Sequence, residues 1–336
     1  MQDVNVFRRA AIVLAMIVAL LAAWRLHELI LLLFGSVLIG VLLRRLMVWV
    51  KRWTRLPEGA ALFVAVAGVL LLLGFFGFFF GWRIQGQIAE AADLIPKGLR
   101  IFTDWVRATP VGSRLIGAAK EVHAAAAIPV LTQVPMFAWS AMVILGESLA
   151  ALVGGIYLAA QPDLYRRGLM RLLPARLRPW TASLLEETGS RLRQWLIAQL
   201  VAMASIGVLV GAGLTLIGVP ASLALGLFAG LTEFVPVAGP IVGAVPALLI
   251  ALLHGVNKAE YVLLLFVLVQ QFEGHVLLPL VQRRFATLPP VVTVFSLIGA
   301  AVLFGWVGAL FATPLAVAGS VLLERLTPTQ KPPAPV

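Results

Sequence analysis

The chain has 336 residues, 61% hydrophobic and 12% charged, with 26 Lys and Arg against 15 Asp and Glu and a net charge of +11. Soluble domains are about 45–50% apolar and about 25% charged. This composition therefore excludes an ordinary soluble domain, and its unbroken apolar runs exclude the alternating strands of a β-barrel. Cysteine is absent, which removes disulfides and thiolate metal sites. What remains is an all-α polytopic membrane protein, predicted to have about 7–8 membrane segments. Basic residues punctuate the ends of apolar runs, the pattern of cytoplasmic loops. They do not form a patch with stacking aromatics, so nucleic acid is not an expected partner.

In chain order, residues 1–58 are expected to form a membrane hairpin followed by a basic cytoplasmic segment. Apolar runs 10–24 and 29–43 lie between Arg8/Arg9 and Arg44/Arg45, with Arg25, His27 and Glu28 at their junction. Each is shorter than the roughly 20 residues a spanning helix needs. They make either two short helices or one interrupted helix, and the basic outer ends favour the hairpin. No small-x-small cleavage site precedes a soluble mature domain, so a cleaved signal peptide is not expected. Arg44, Arg45, Lys51, Arg52 and Arg55 stand against Glu58 alone and mark the cytoplasm.

Residues 59–82 predict a full span running outward to the interfacial Trp82. Residues 83–135 mix charges of both signs with apolar residues at helical spacing, among them Ile84, Ile88, Leu94, Ile95, Leu99 and Phe102. They predict an extracytoplasmic insert of two or three amphipathic helices that packs subunits together or gates the protein. Residues 136–160 return inward and carry Glu147, either a functional group facing the bundle interior or a partner for a neighbouring polar side chain. Residues 161–194 are basic again, with Arg166, Arg167, Arg171, Arg176, Arg178, Arg191 and Arg193, and belong to the cytoplasm.

Residues 195–323 predict the membrane core. A span over 195–217 stops at Gly218-Val219-Pro220. Segment 221–253 is too long for one crossing, and its Pro/Gly break at 236–240 predicts a hairpin entering from outside. Residues 261–282 cross to Arg283 and Arg284. Segment 288–323, broken around Gly305-Trp306-Val307-Gly308, predicts a second hairpin entering from inside. Residues 324–336 predict a disordered tail.

One acid stands out. Glu233 is the single charge in residues 222–253. Placing a charge at the centre of a bilayer helix costs about 2.5–3.5 kcal/mol or more, so it is rarely there without a role. Pro236 and Pro240 prevent normal helical hydrogen bonding beside it, and Gly239 lies between them. Broken helices of this kind build the midplane sites of many transporters. On the next span, Gln270 and Glu273 share a helix face, and Gln271 and His275 share a neighbouring one. The glutamines offer amide groups to a polyol or a partly dehydrated cation. A plainer role is interhelical hydrogen bonding among these polar groups, with glycines 226, 230, 239 and 243 present only for close packing. No metalloenzyme spacing, nucleophile–base pair or P-loop is visible, so neither a cofactor, a metal nor enzymatic catalysis is expected.

At these motifs the chain resembles the AI-2E family of membrane transporters, the autoinducer-2 exporter-like permeases. Leu231 to Pro240, LTEFVPVAGP, is similar to the family's N/E-x-x-P-x-x-G-P element. Gln270 to Pro279, QQFEGHVLLP, is similar to its Q-Q-x-E-x-x-x-x-x-P element, and Phe304 to Leu315, FGWVGALFATPL, to its F-G-x-x-G…P-L element. His275, Leu278 and Pro289 depart from the Asn, Gln and His common there, which bears on substrate identity. The resemblance implies export of a small polar solute such as autoinducer-2, or exchange of a monovalent cation for protons. Glu233, Pro236, Gly239, Pro240, Gln270, Gln271, Glu273 and His275 are the expected binding residues. It also implies a multi-pass protein of the inner (plasma) membrane, with cytoplasmic termini and a homo-oligomeric, pentameric assembly. The alternative is an oligomeric scaffold or channel-like pore that does not transport.

Overall fold

The computed structural model describes residues 25–107, 134–277, 279 and 289–327. The first N-terminal run at 10–24, the second half of the insert, Leu278, Arg283, Arg284 and most of the tail lie outside them. Every regular element among the described residues is helical: α1 (His27–Thr54), α2 (Glu58–Arg107), α3 (Val134–Ala160), α4 (Pro162–Leu172), α5 (Arg178–Ile217), α6 (Ser222–Thr232), α7 (Ala238–Leu253), α8 (Val256–Phe272) and α9 (Pro290–Leu326). A single π-helical turn, Glu273–Leu277, extends α8.

Four helical stretches are long and apolar enough to cross a membrane: α1, α5, Val256–Leu277 and Val291–Leu326. Shorter apolar stretches lie at Glu58–Leu72, Gly146–Ala160 and along α6 and α7. Leu216, Val302 and Phe63 are largely exposed. Such side chains are costly in water but suit a surface that meets lipid tails.

Segment 221–253 folds as two helices. Thr232 ends α6, a turn covers 233–237, and α7 packs back along α6. The stop before it also forms. Gly218 adopts φ 75°, and the Val219 N–H reaches the Leu214 carbonyl at 2.9 Å, a Schellman-type closure. Lys258 Nζ donates to the Gly218 carbonyl at 3.0 Å, fastening the start of α8 to the end of α5. In α9 the predicted break falls at Gly305, whose φ of 66° and ψ of −152° are open only to glycine. A Cβ at Gly308 would collide with the Ala300 carbonyl and Phe304, so the two arms meet closely beside the break.

The interface of α5 with α6 is built on glycine. Gly207 and Gly211 on α5 face Gly226 and Gly230 on α6, and a Cβ at Gly226 would lie 2.5 Å from the Gly211 Cα. In lipid no hydrophobic force draws helices together, so close van der Waals contact through small residues carries the association. The close-packing reading of Gly226 and Gly230 holds.

The sequence predicted a break near residue 83, but α2 runs unbroken from Glu58 to Arg107. Its extension lies against the α6–α7 hairpin. Ala91 is buried in the same cluster as Leu225, Ala229 and Ala247, with Leu94 and Ile95 packed beside it. Gln87 Oε1 accepts the Leu223 and Ala224 N–H groups at 3.2 Å each, capping α6 from far along the chain. As far as Arg107 the amphipathic spacing belongs to this one helix, and Ala91, Leu94 and Ile95 on it cover α6 and α7.

A second cluster joins α1, α2 and α3 through Leu43, Met47, Ala61 and Ala159. Leu38, Leu192, Leu196, Phe311 and Val317 link α1, α5 and α9. At the basic end, Arg325 donates to Glu187 at 2.9 and 2.7 Å. Arg191 bridges Glu187 at 2.8 Å and Glu324 at 2.8 and 2.6 Å. These pairs tie α5 to the end of α9. The Arg325 guanidinium, with Arg191 beside it, holds the Glu187 carboxyl below its usual range, and Arg191 does the same for Glu324. A carboxyl lowered on folding stabilises above its ordinary pKa of about 4.3 and loses that contribution as pH falls through the lowered value. Glu187→Gln should therefore lower the melting temperature at neutral pH. The gap to wild type should close under acid and narrow in high salt; thermal melts across pH and NaCl concentration test this.

Candidate functional site

Glu233 is the first residue past α6, and its backbone N–H still bonds the Ala229 carbonyl at 3.1 Å. Pro236 then bars continuation of the helix. Val237 takes φ 72° and ψ −50° before α7 begins. Positive φ is an outlier for a β-branched residue, and such strain, about 1–3 kcal/mol, persists only where the surroundings enforce it. Gly239 helps to enforce it: any Cβ there would collide with the Thr232 carbonyl, so only glycine lets α7 start this close to α6. Pro240 occupies the first turn of α7, where its missing N–H is not needed.

This turn buries Glu233 to 2% exposure. Its Oε2 has no hydrogen-bond partner among the described residues. The Glu273 carboxyl, carried by the π-helical turn after α8, lies within hydrogen-bonding reach of Glu233. π-Turns widen a helix locally and are frequent at functional sites. Gln270 Nε2 donates to Glu273 Oε2 at 3.1 Å, the contact predicted by their spacing of three. Two carboxyl groups and one amide thus meet where a broken helix faces a widened one.

The remaining predicted residues are arranged differently. Gln271 and His275 are exposed, and His275 Nδ1 lies 3.0 Å from the Gln271 carbonyl of its own helix. Pro236, Gly239 and Pro240 shape the turn. Glu147 is separate from the pair: it is exposed and lines a cavity of about 470 Å³ with Glu28, Ser148 and Trp306.

Two residues were missed. Gln199, 9% exposed on α5, donates from Nε2 to the Glu233 carbonyl at 2.6 Å. Trp195 packs edge-on against Phe234 with ring centroids 5.7 Å apart. The available signal was that Gln199 is the only amide side chain in the apolar run 195–217. Gln199→Leu leaves the Glu233 carbonyl unpaired, a loss of about 1–3 kcal/mol for a buried acceptor. A lower melting temperature is expected, and an unchanged melt would rule out this anchoring role.

The fold and this buried polar centre define a multi-pass helical membrane protein with its acids placed at a helix break. The chain belongs to the AI-2E transporter family, whose model, "AI-2E family transporter", matches residues 12–327. It is 33% identical over 167 residues to "Putative transport protein YrrI" of Bacillus subtilis, covering 50% of this chain and 47% of that protein. It is 29% identical over 146 residues to "Putative transport protein YueF" of the same organism, covering 44% and 40%. "Putative transport protein MT0215" of Mycobacterium tuberculosis is 39% identical over 106 residues, covering 31% and 29%. The likeness thus spans about half or less of each curated relative's length.

Proposed function

We propose that this protein is a secondary transporter in which Glu233 and Glu273 couple solute movement to protons. The carrying observation is the buried Glu233 carboxyl, one oxygen of which has no partner among the described residues, against a second carboxyl at a helix break. Two neighbouring carboxylates in a poorly hydrated site cannot both ionise cheaply, so the pair keeps a proton unless a cation replaces it. Gln270 orients Glu273, and backbone carbonyls freed around Pro236 supply neutral ligands. The cargo is a monovalent cation exchanged for protons, or a small polar solute of the autoinducer-2 kind held by the amides.

The two hairpins dip into the membrane from opposite sides, where irregular backbone must be enclosed by protein or line a cavity. The basic end that carries Arg44, Arg191 and Arg325 faces the cytoplasm of the inner membrane, as the positive-inside pattern requires. The assembly is a homo-oligomer, a pentamer by family resemblance. The α2 extension supplies its contacts through Leu99, Ile101 and Phe102, which are exposed in the single chain.

Proteoliposomes with imposed pH and sodium gradients test the proposal. Saturable, gradient-driven accumulation that collapses with a protonophore is expected. Non-saturating conduction, or no flux, would favour the pore or scaffold.

A further inference from the structure

The basic end holds a cleft of about 860 Å³ between α1, the end of α3 and the first half of α5. Arg44 and Arg45 enter it from α1 and Arg193 from α5. None of the three is in an ion pair with a carboxylate among the described residues, although Arg44 lies near enough to Glu58, itself paired with Lys51 at 2.9 Å, to help hold that carboxyl below its usual range. Arg44 Nη1 donates to the Ala159 carbonyl at 3.3 Å, Arg193 Nη2 to Ser190 Oγ at 3.3 Å, and Arg45 is exposed with no partner among the described residues. Arg325 also lines the cleft, but it is held by Glu187. The one lining carboxylate with no cationic partner among the described residues is Glu186. Three guanidinium groups outside any described ion pair face Glu186 in the cleft, and Glu58 beside Arg44 is matched by Lys51, so a local excess of positive charge remains.

Apolar side chains line the same cleft, Val41 one turn from Arg44 and Arg45 on α1 and Leu158 on α3. Trp49 and Trp53 project from α1 beyond it, 56% and 76% exposed, with ring centroids 5.9 Å apart. Exposed indoles beside arginines mark a membrane–water interface. A cleft that brings guanidinium groups and apolar side chains together beside exposed indoles has the charge and the apolar lining that a phospholipid requires. Guanidinium groups are also the side chains best suited to bidentate phosphate contacts.

We propose that this cleft binds the phosphate group of an anionic phospholipid, with Arg44, Arg45 and Arg193 as its ligands and Val41 and Leu158 against the acyl chain. The shared chemistry with free inorganic phosphate is separated by experiment. The purified protein is delipidated, then exposed in detergent to phosphatidylglycerol, phosphatidylcholine or inorganic phosphate, and retained ligand is measured by native mass spectrometry. Wild type should retain phosphatidylglycerol over phosphatidylcholine, with retention falling as NaCl rises. The triple variant Arg44→Gln, Arg45→Gln, Arg193→Gln should bind phosphatidylglycerol roughly 100-fold more weakly, at about fivefold for each charge near the headgroup. Restoring the charges as Lys should recover part of the binding. Phosphate binding that is lost in the variant, without lipid preference, keeps the phosphate site but overturns the lipid. Wild type that retains the two lipids equally and ignores phosphate overturns the proposal, whatever the variant's folding. So does a folded Gln variant that binds like wild type.

Discussion

Glu233→Gln is expected to abolish proton-coupled flux while leaving the protein folded. Glutamine fills the same volume and keeps an acceptor and a donor beside Glu273, so the turn at 233–237 keeps its packing. What is lost, on the proposed coupling, is the exchangeable proton. The step that depends on it should fall by at least the 10²–10⁴-fold typical of removing a positioned proton-transfer group. Glu273→Gln should be nearly as severe and should also alter the Gln270 contact, 3.1 Å in wild type. The double variant should lose little more than either single one, because the pair acts as a unit. Flux measured against pH separates coupling from structure: wild type should show a pH-dependent rate and the variants a flat residual. Unaltered flux in both single variants, with melting temperatures also unchanged, would remove the carboxyl pair from the mechanism.

Gly226→Ala is expected to be strongly destabilising although it adds one methyl group. The new Cβ would meet the Gly211 Cα and N and the Gly207 carbonyl, all of them backbone that cannot rotate away. Overpacking of this kind costs about 1–3 kcal/mol. It also levers α6 away from α5, the helix whose Gln199 holds the Glu233 carbonyl at 2.6 Å. Flux should therefore fall with stability. Gly68→Ala is the matched control. It lies within α2, and no atom of the described residues comes within 4 Å of a Cβ built there, so the same substitution should be neutral or stabilising by up to about 1 kcal/mol, the difference in helix propensity. The melting temperature should fall clearly for Gly226→Ala and stay level or rise for Gly68→Ala. Equal shifts would mean that the α5–α6 contact is looser than its geometry requires.

Composition and spacing made the helical class, the α6–α7 break, the Gly305 break and the stop at Gly218 legible. Each depends on a local rule that acts within a few residues: an apolar run long enough for lipid, a proline without its N–H, a glycine with positive φ. The acids were legible for the same reason, since an isolated carboxylate in an apolar run is conspicuous on its own. The Gln270–Glu273 contact followed from helical periodicity.

Contacts between distant segments were not legible. Amphipathic spacing after residue 82 says that one face is covered, not by what. Only the packed structure shows Ala91 and Gln87 against the hairpin, with α2 continuing unbroken. Gln199 was an unremarked amide until the fold set it beside the turn. Helical spacing placed Gln271 and His275 on a face beside that of Glu273; in the fold both are exposed, while Glu273 on the π-turn lies by Glu233. The residues alone determined that this is a helical membrane protein with two broken segments and two costly acids. Tertiary structure decided which acids meet and what anchors them, because those pairings join residues tens of positions apart and only packing chooses among the available partners.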